Sequence, residues 1–255
     1  MNRAIRAAWR AGRGIVRALY DTCRLGGRTL LVAPGIVAIA VIPEFAQHVA
    51  EISLGMFDSR EASRALANDS VRWGFGYVKI AGFVLTILLT TRLWACDGSV
   101  RRVLLIPPRI LLRTVAAFAA AILAGGALDY LARLRPPLAG GALSVVGAVL
   151  QAGLFTWTIA QLVDDRSTTL RRALTIQLPT AALLLLLFGA AMAPAQLLHG
   201  INHKLALGQP DALVWGLMLF DSLLVGLMAA LAGSGLYVAF RAGPTWRGWT
   251  RPPGS

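Results

Sequence analysis

In a chain built from apolar stretches, chemistry is expected at the few ionisable residues that interrupt them, because a charge in hydrocarbon persists only where it has a partner or a task. Glu44, Lys79 and Asp221 meet that description. Glu44 stands late in one apolar stretch and Lys79 a similar distance inside the next, so an outgoing and a returning helix would bring them together. The pair would fix a helical hairpin or relay a proton or solute. Asp221 lies inside the last stretch with only Ser222 beside it, so its partner must come from another helix, with His199 and Lys79 as the candidates. Gln151, Gln161 and Gln196 read as hydrogen-bonding groups between helices.

Other constellations lead to no enzyme. His199 and His203 share a helical face, but Gly200 separates them, no Glu follows His199 directly and no third ligand is evident. No metal site and no cofactor are therefore expected. Ala232-Gly233-Ser234-Gly235 is similar to the Gly-x-Ser-Gly element of rhomboid proteases, yet no histidine and no further span follow Ser234, which leaves it as a packing residue. No phosphate-cradling loop or dinucleotide glycine motif is present.

The elements that must position these residues are membrane spans. Hydrophobic residues make up 56% of 255 and charged residues only 15%, against about 25% charged in soluble domains. Spans are expected over about Thr29–Ala50, Trp73–Ala95, Arg113–Ala132, Gly140–Val163, Leu178–Gly200 and Ala212–Phe240. Each approaches the roughly 20 residues that cross the hydrocarbon core. The fold class is thus all-α, a polytopic membrane helical bundle of six transmembrane helices. Small residues at four-residue spacing predict close helix contacts at Ala117, Ala121 and Gly125, at Gly140, Ser144, Ala148 and Ala152, and at Gly226, Ala230 and Ser234. Pro34, Pro43 and Pro194 predict irregular helix geometry.

The net charge of +13 would suggest nucleic acid on a soluble protein. Beside apolar spans it reads as the positive-inside signal, so no nucleic-acid partner is expected. One side collects 18 of the 25 basic residues, the other six. This places both termini in the cytoplasm. Trp73, Tyr130 and Trp215 fall at the outer level, and Tyr20, Trp94, Tyr237, Trp246 and Trp249 at the inner one. Cys23 and Cys96 lie near cytoplasmic ends, where no disulfide is expected.

Basic segments precede the first, third and fifth spans. Arg3, Arg6, Arg10, Arg13, Arg17, Arg24 and Arg28 fall within about 80° of a helical wheel, as in an interfacial helix and unlike a cleavable signal. Ser99-Val100-Arg101-Arg102-Val103-Leu104 and Ser167-Thr168-Thr169-Leu170-Arg171-Arg172-Ala173-Leu174 repeat the pattern. Residues 1–255 form a single membrane domain: a basic segment 1–28, hairpin units over 15–95, 98–163 and 165–240, and a tail 241–255. Between the first two spans, residues 51–72 would form a solvated loop or a short external helix.

This order of segments, with the two Arg-Arg motifs before the later hairpins, resembles the YciC-like family of bacterial inner-membrane proteins. It is also similar to the membrane region of some glycerophosphoryl diester phosphodiesterases. The resemblance implies a bacterial cytoplasmic membrane; the family has no settled activity, so no catalytic residue is carried across. The expected function is a non-enzymatic membrane protein in envelope or lipid homeostasis. Arg6, Arg10, Arg13, Arg17, Arg101, Arg102, Arg171 and Arg172 would contact anionic lipid headgroups, beside a membrane-protein partner or a second copy of the chain. The alternative is a small-solute or lipid transporter with a polar cavity near Glu44, Lys79 and Asp221.

Overall fold

The computed structural model describes residues 3–134 and 137–246, with the side chains of residues 3–8, 10, 137–140 and 244–246 outside that description. The expectations placed on Arg3, Arg6, Arg10, Arg135, Gly140, Trp246, Arg247, Trp249 and Arg251 therefore lie outside the described residues or side chains. All regular structure that is described is α-helical: α1 (Arg3–Val32), α2 (Pro34–Ser53), α3 (Arg60–Ala65), α4 (Ser70–Ala95), α5 (Val100–Leu104), α6 (Pro108–Arg133), α7 (Pro137–Leu162), α8 (Leu170–Leu174), α9 (Leu178–Ala206) and α10 (Asp211–Trp246). Six of them, α2, α4, α6, α7, α9 and α10, are long and apolar enough to cross a membrane. The protein is an all-α, multi-pass membrane bundle.

The first span starts later than expected. Helix α1 continues through Thr29 to Val32, and the chain breaks at Ala33, whose φ and ψ are −140° and 55°. Pro34 then opens α2 at a position where its missing N–H costs nothing, while its ring drives Ala33 out of the helical region. The 51–72 connection contains the short helix α3, capped by Ser59, whose side chain accepts from the Ala62 N–H.

The two Arg-Arg motifs adopt matching local structures. Past the end of α4, Asp97 takes a left-handed φ of 55° and Gly98 one of 79°; past the end of α7, Asp164 takes 57°. Aspartate visits this region more readily than most residues, so both helices end on it. Ser99 then caps α5 and Thr169 caps α8, each accepting from the backbone N–H of the second arginine.

The chain forms two compact units. Unit 1 comprises Met1–Asp21, Thr91–Leu187 and Gly235–Ser255; unit 2 comprises Thr22–Thr90 and Phe188–Ser234. In unit 1, α6 packs along α7 through the expected small residues: Ala117 and Ala121 are buried, and Gly125 leaves space filled by the Gln151 side chain. Two arginines bind the end of α7, where unpaired carbonyls carry partial negative charge. Arg92 donates to the Leu162 carbonyl at 2.7 Å, and Arg113 pairs with Asp164 at 2.5 Å.

In unit 2 the same device brings helices together around α2. A Cβ at Gly82 of α4 would meet the Ile39 carbonyl, and one at Gly226 of α10 would meet Val41 and Val37. Beyond the end of α2, Met56, Phe57, Ala206, Val214 and Met218 form an apolar cluster. The Gly208 N–H closes it by donating to the Phe57 carbonyl at 2.7 Å.

Candidate functional site

Four helices of unit 2 place polar side chains in one buried cluster. On α2, Glu44, Gln47, His48 and Glu51 follow helical spacing and are all buried. On α9, His199, Asn202 and His203 lie on one face, in a helix that Gly200 does not interrupt. Asp221 comes from α10, and Arg72 and Lys79 from α4. Asp221 lies ten residues past the first residue of α10, or about 15 Å along it.

The centre of the cluster is a single oxygen atom. Asp221 Oδ2 lies 2.6 Å from His199 Nδ1, 3.2 Å from His48 Nε2 and 3.6 Å from His203 Nε2. The other carboxylate oxygen, Oδ1, accepts from Asn202 Nδ2 at 2.9 Å. Asp221 and His48 are fully buried, while His199 and His203 keep 16% and 29% side-chain exposure and mark the side nearest the surface. The chain contains three histidines, and all of them converge on this one oxygen.

Around this centre the remaining charges are held in place. Glu51 Oε2 lies 3.1 Å from His48 Nδ1, and Glu51 Oε1 accepts from Gln47 and Arg72, each at 2.9 Å. Glu44 Oε1 accepts from Lys79 Nζ at 2.9 Å and lies 3.4 Å from His48 Nε2. Both ring nitrogens of His48 therefore face carboxylate oxygens. A neutral imidazole carries one N–H and one lone pair, so one nitrogen always directs a lone pair at an anion. A proton on the second ring nitrogen, or a cation bound at its lone pair, removes that conflict. His203 adds a second unmet demand, since its buried Nε2 has no hydrogen-bond partner.

The structure thus pairs Glu44 with Lys79 and Asp221 with His199, as the sequence analysis anticipated, and merges the two pairs through His48. Lys79 does not reach Asp221 by any described hydrogen bond or ion pair; it is occupied by Glu44. Asp221 and His48 stand where the sequence analysis found no further ligand for His199 and His203: His199, His203 and Asp221 could share one ion, as could His48, Glu51 and His203, or Glu44, His48 and Asp221. His48, Glu51, Asn202 and Arg72 were not recognised as site residues from sequence. The available signal was Glu44, His48 and Glu51 on one face of a single apolar helix. Gln151 lines a shallow recess in unit 1 with Gly125, Ser144 and Ala148, in keeping with an interhelical role.

The expected lipid-contact residues that are described lie apart from this cluster in sequence and in unit 1. Arg13, Arg17, Arg101, Arg102 and Arg171 are exposed and Arg172 is half-buried. Arg102 pairs with Asp97, and Arg17 with Asp21. Ser234 is fully buried in α10, in line with a packing role. Comparison of the chain with protein families, with characterised proteins and with solved structures finds no match.

Proposed function

We propose that the protein is a membrane carrier for a small cation, with the unit 2 cluster as its binding site. The observation that carries this reading is the convergence of every histidine of the chain on Asp221 Oδ2, inside helices that otherwise present apolar residues. Buried ionisable groups at such depth mark ion or substrate pathways in membrane proteins. The sign of the charge selects the cargo. Glu44, Glu51 and Asp221 oppose Lys79 and Arg72, which leaves one negative charge when the imidazoles are neutral. In that state the cluster favours a cation and repels an anion.

Of the two expected functions, the transporter near Glu44, Lys79 and Asp221 is the one this geometry supports. The orientation proposed with it has both termini in the cytoplasm of a bacterial cell and the cluster in the outer half of the bilayer. Reconstitution into liposomes tests the carrier reading. Fluxes of Na+, K+, Ca2+ and Zn2+ would be followed with trapped ion reporters, and the flux of at least one should vanish in Asp221→Asn. Protein-independent leakage for all four ions would end the reading.

A second role is supported by α5 and α8. Their Arg-Arg pairs occupy equivalent places before α6 and α9, and Thr169, Arg171, Arg172, Thr175 and Ile176 line a shallow pocket. Anionic lipid headgroups are the proposed partners there, consistent with the envelope role expected from the sequence.

A further inference from the structure

We infer that the cluster is a transition-metal site of the zinc class, with His48 Nε2, His199 Nδ1, His203 Nε2 and Asp221 Oδ2 as its four ligands. The inference deepens the carrier reading and rests on it for the role of the metal as cargo. Its own support is the chemistry of the donors and their distances from Asp221 Oδ2: His199, His203 and Asp221 form one group able to hold an ion, and His48 joins Asp221 in a second.

In a tetrahedral zinc shell with metal–ligand distances of about 2.0–2.1 Å, neighbouring donors stand ~3.3 Å apart. Two of the three separations from Asp221 Oδ2, 3.2 Å to His48 and 3.6 Å to His203, straddle that value. The second is too long for a hydrogen bond, and the His203 nitrogen has no hydrogen-bond partner among the described residues, so hydrogen bonding does not explain its placement. The His199 contact of 2.6 Å is a hydrogen bond, which must open by about 0.7 Å as an ion enters.

The groups behind these donors fit the same assignment. Metal-bound imidazoles direct the opposite ring N–H at a carboxylate or carbonyl, which fixes the tautomer and the ring plane. His48 has this arrangement, with Nδ1 toward Glu51 and Nε2 toward the centre. Glu51 is in turn held by Gln47 and Arg72. Asn202 binds Asp221 Oδ1 and leaves Oδ2 directed at the imidazoles. Three imidazoles and one carboxylate suit Zn2+, Co2+ or Fe2+, whereas Mg2+ and Ca2+ require oxygen-rich shells.

The test uses the full-length protein in mild detergent, stripped with a chelator and titrated separately with Co2+, Zn2+ and Mg2+. The expected result is one Co2+ or Zn2+ per chain at micromolar or tighter affinity, intense visible absorption of four-coordinate Co2+, and no saturable Mg2+ binding. His203→Gln is the informative variant. Its ring packs against His48, Phe57 and His199, so metal-free stability should fall modestly in any case, and the deciding readout is Zn2+ affinity, which should fall by more than the roughly 10–100-fold typical of outer-shell changes. Asp221→Asn should abolish the cobalt spectrum.

A wild-type protein without saturable Co2+ or Zn2+ binding overturns the inference, as does equal affinity in wild type and His203→Gln. Flux of Na+ or K+ without zinc binding also overturns it, while leaving the carrier reading intact. Zinc binding without flux supports the metal site and ends the carrier reading.

Discussion

His48 Nδ1 stands 3.1 Å from Glu51 Oε2 on the same helix, so Nε2 on the opposite side of the ring is aimed at Asp221. One i,i+3 pair on α2 therefore sets the direction of a nitrogen that faces Asp221 on α10. If the cluster binds zinc, Glu51→Gln should weaken it by about 10–100-fold without removing any ligand, because the imidazole loses its anionic partner. Competition against a chromophoric chelator measures the shift. Unchanged affinity would show that Glu51 does not orient the ring.

Lys79 is 24% exposed, but its partner Glu44 is only 2% exposed. Lys79→Met should therefore leave a buried carboxylate uncompensated and destabilise the protein by about 3–5 kcal/mol. The double variant Glu44→Gln/Lys79→Met removes both charges and should recover most of that loss. Denaturant unfolding in detergent would report both values; equal losses in the single and double variants would exclude an uncompensated charge as the cause.

Close packing around α2 gives a steric prediction. Gly82→Ala places a methyl group against the Ile39 carbonyl and Pro43, and backbone must move to admit it. A cost of about 1–3 kcal/mol is expected. Gly74→Ala in the same helix has nothing within 4 Å, so it should lie within about 0.5 kcal/mol of wild type. Thermal unfolding of the two variants side by side tests the contrast.

The Arg-Arg pairs should act through charge. Replacing Arg101 and Arg102 by Gln removes about 2 kcal/mol of attraction to an anionic surface, and Lys at both positions should restore most of it. Co-purifying anionic lipid, quantified by mass spectrometry, should fall in the Gln variant and return in the Lys variant. Equal retention in all three proteins would leave these arginines as topology signals alone.

The orientation itself can be read with reporters. A reporter active only outside the cytoplasm should be silent after Ser255 and active when inserted at Ser63 in α3. The reverse pattern would place the metal-ligand cluster in the cytoplasmic half of the bilayer.

The spans were legible in the sequence because they depend on a one-dimensional quantity, runs of apolar residues of bilayer length. The Glu44–Lys79 pair was legible for the same reason, since an antiparallel hairpin brings equal depths together. The start of the first span was not, because helical periodicity continues through Thr29–Val32 and only the Ala33–Pro34 geometry ends it. Nor was the site. His48, His199 and Asp221 lie on three helices separated by more than 150 residues of chain between His48 and the other two. The rotation of each helix about its axis decides whether such residues meet, and that rotation is set by contacts such as Gly226 against Val37 and Val41. Tertiary packing alone turned three histidines and one aspartate toward the same point.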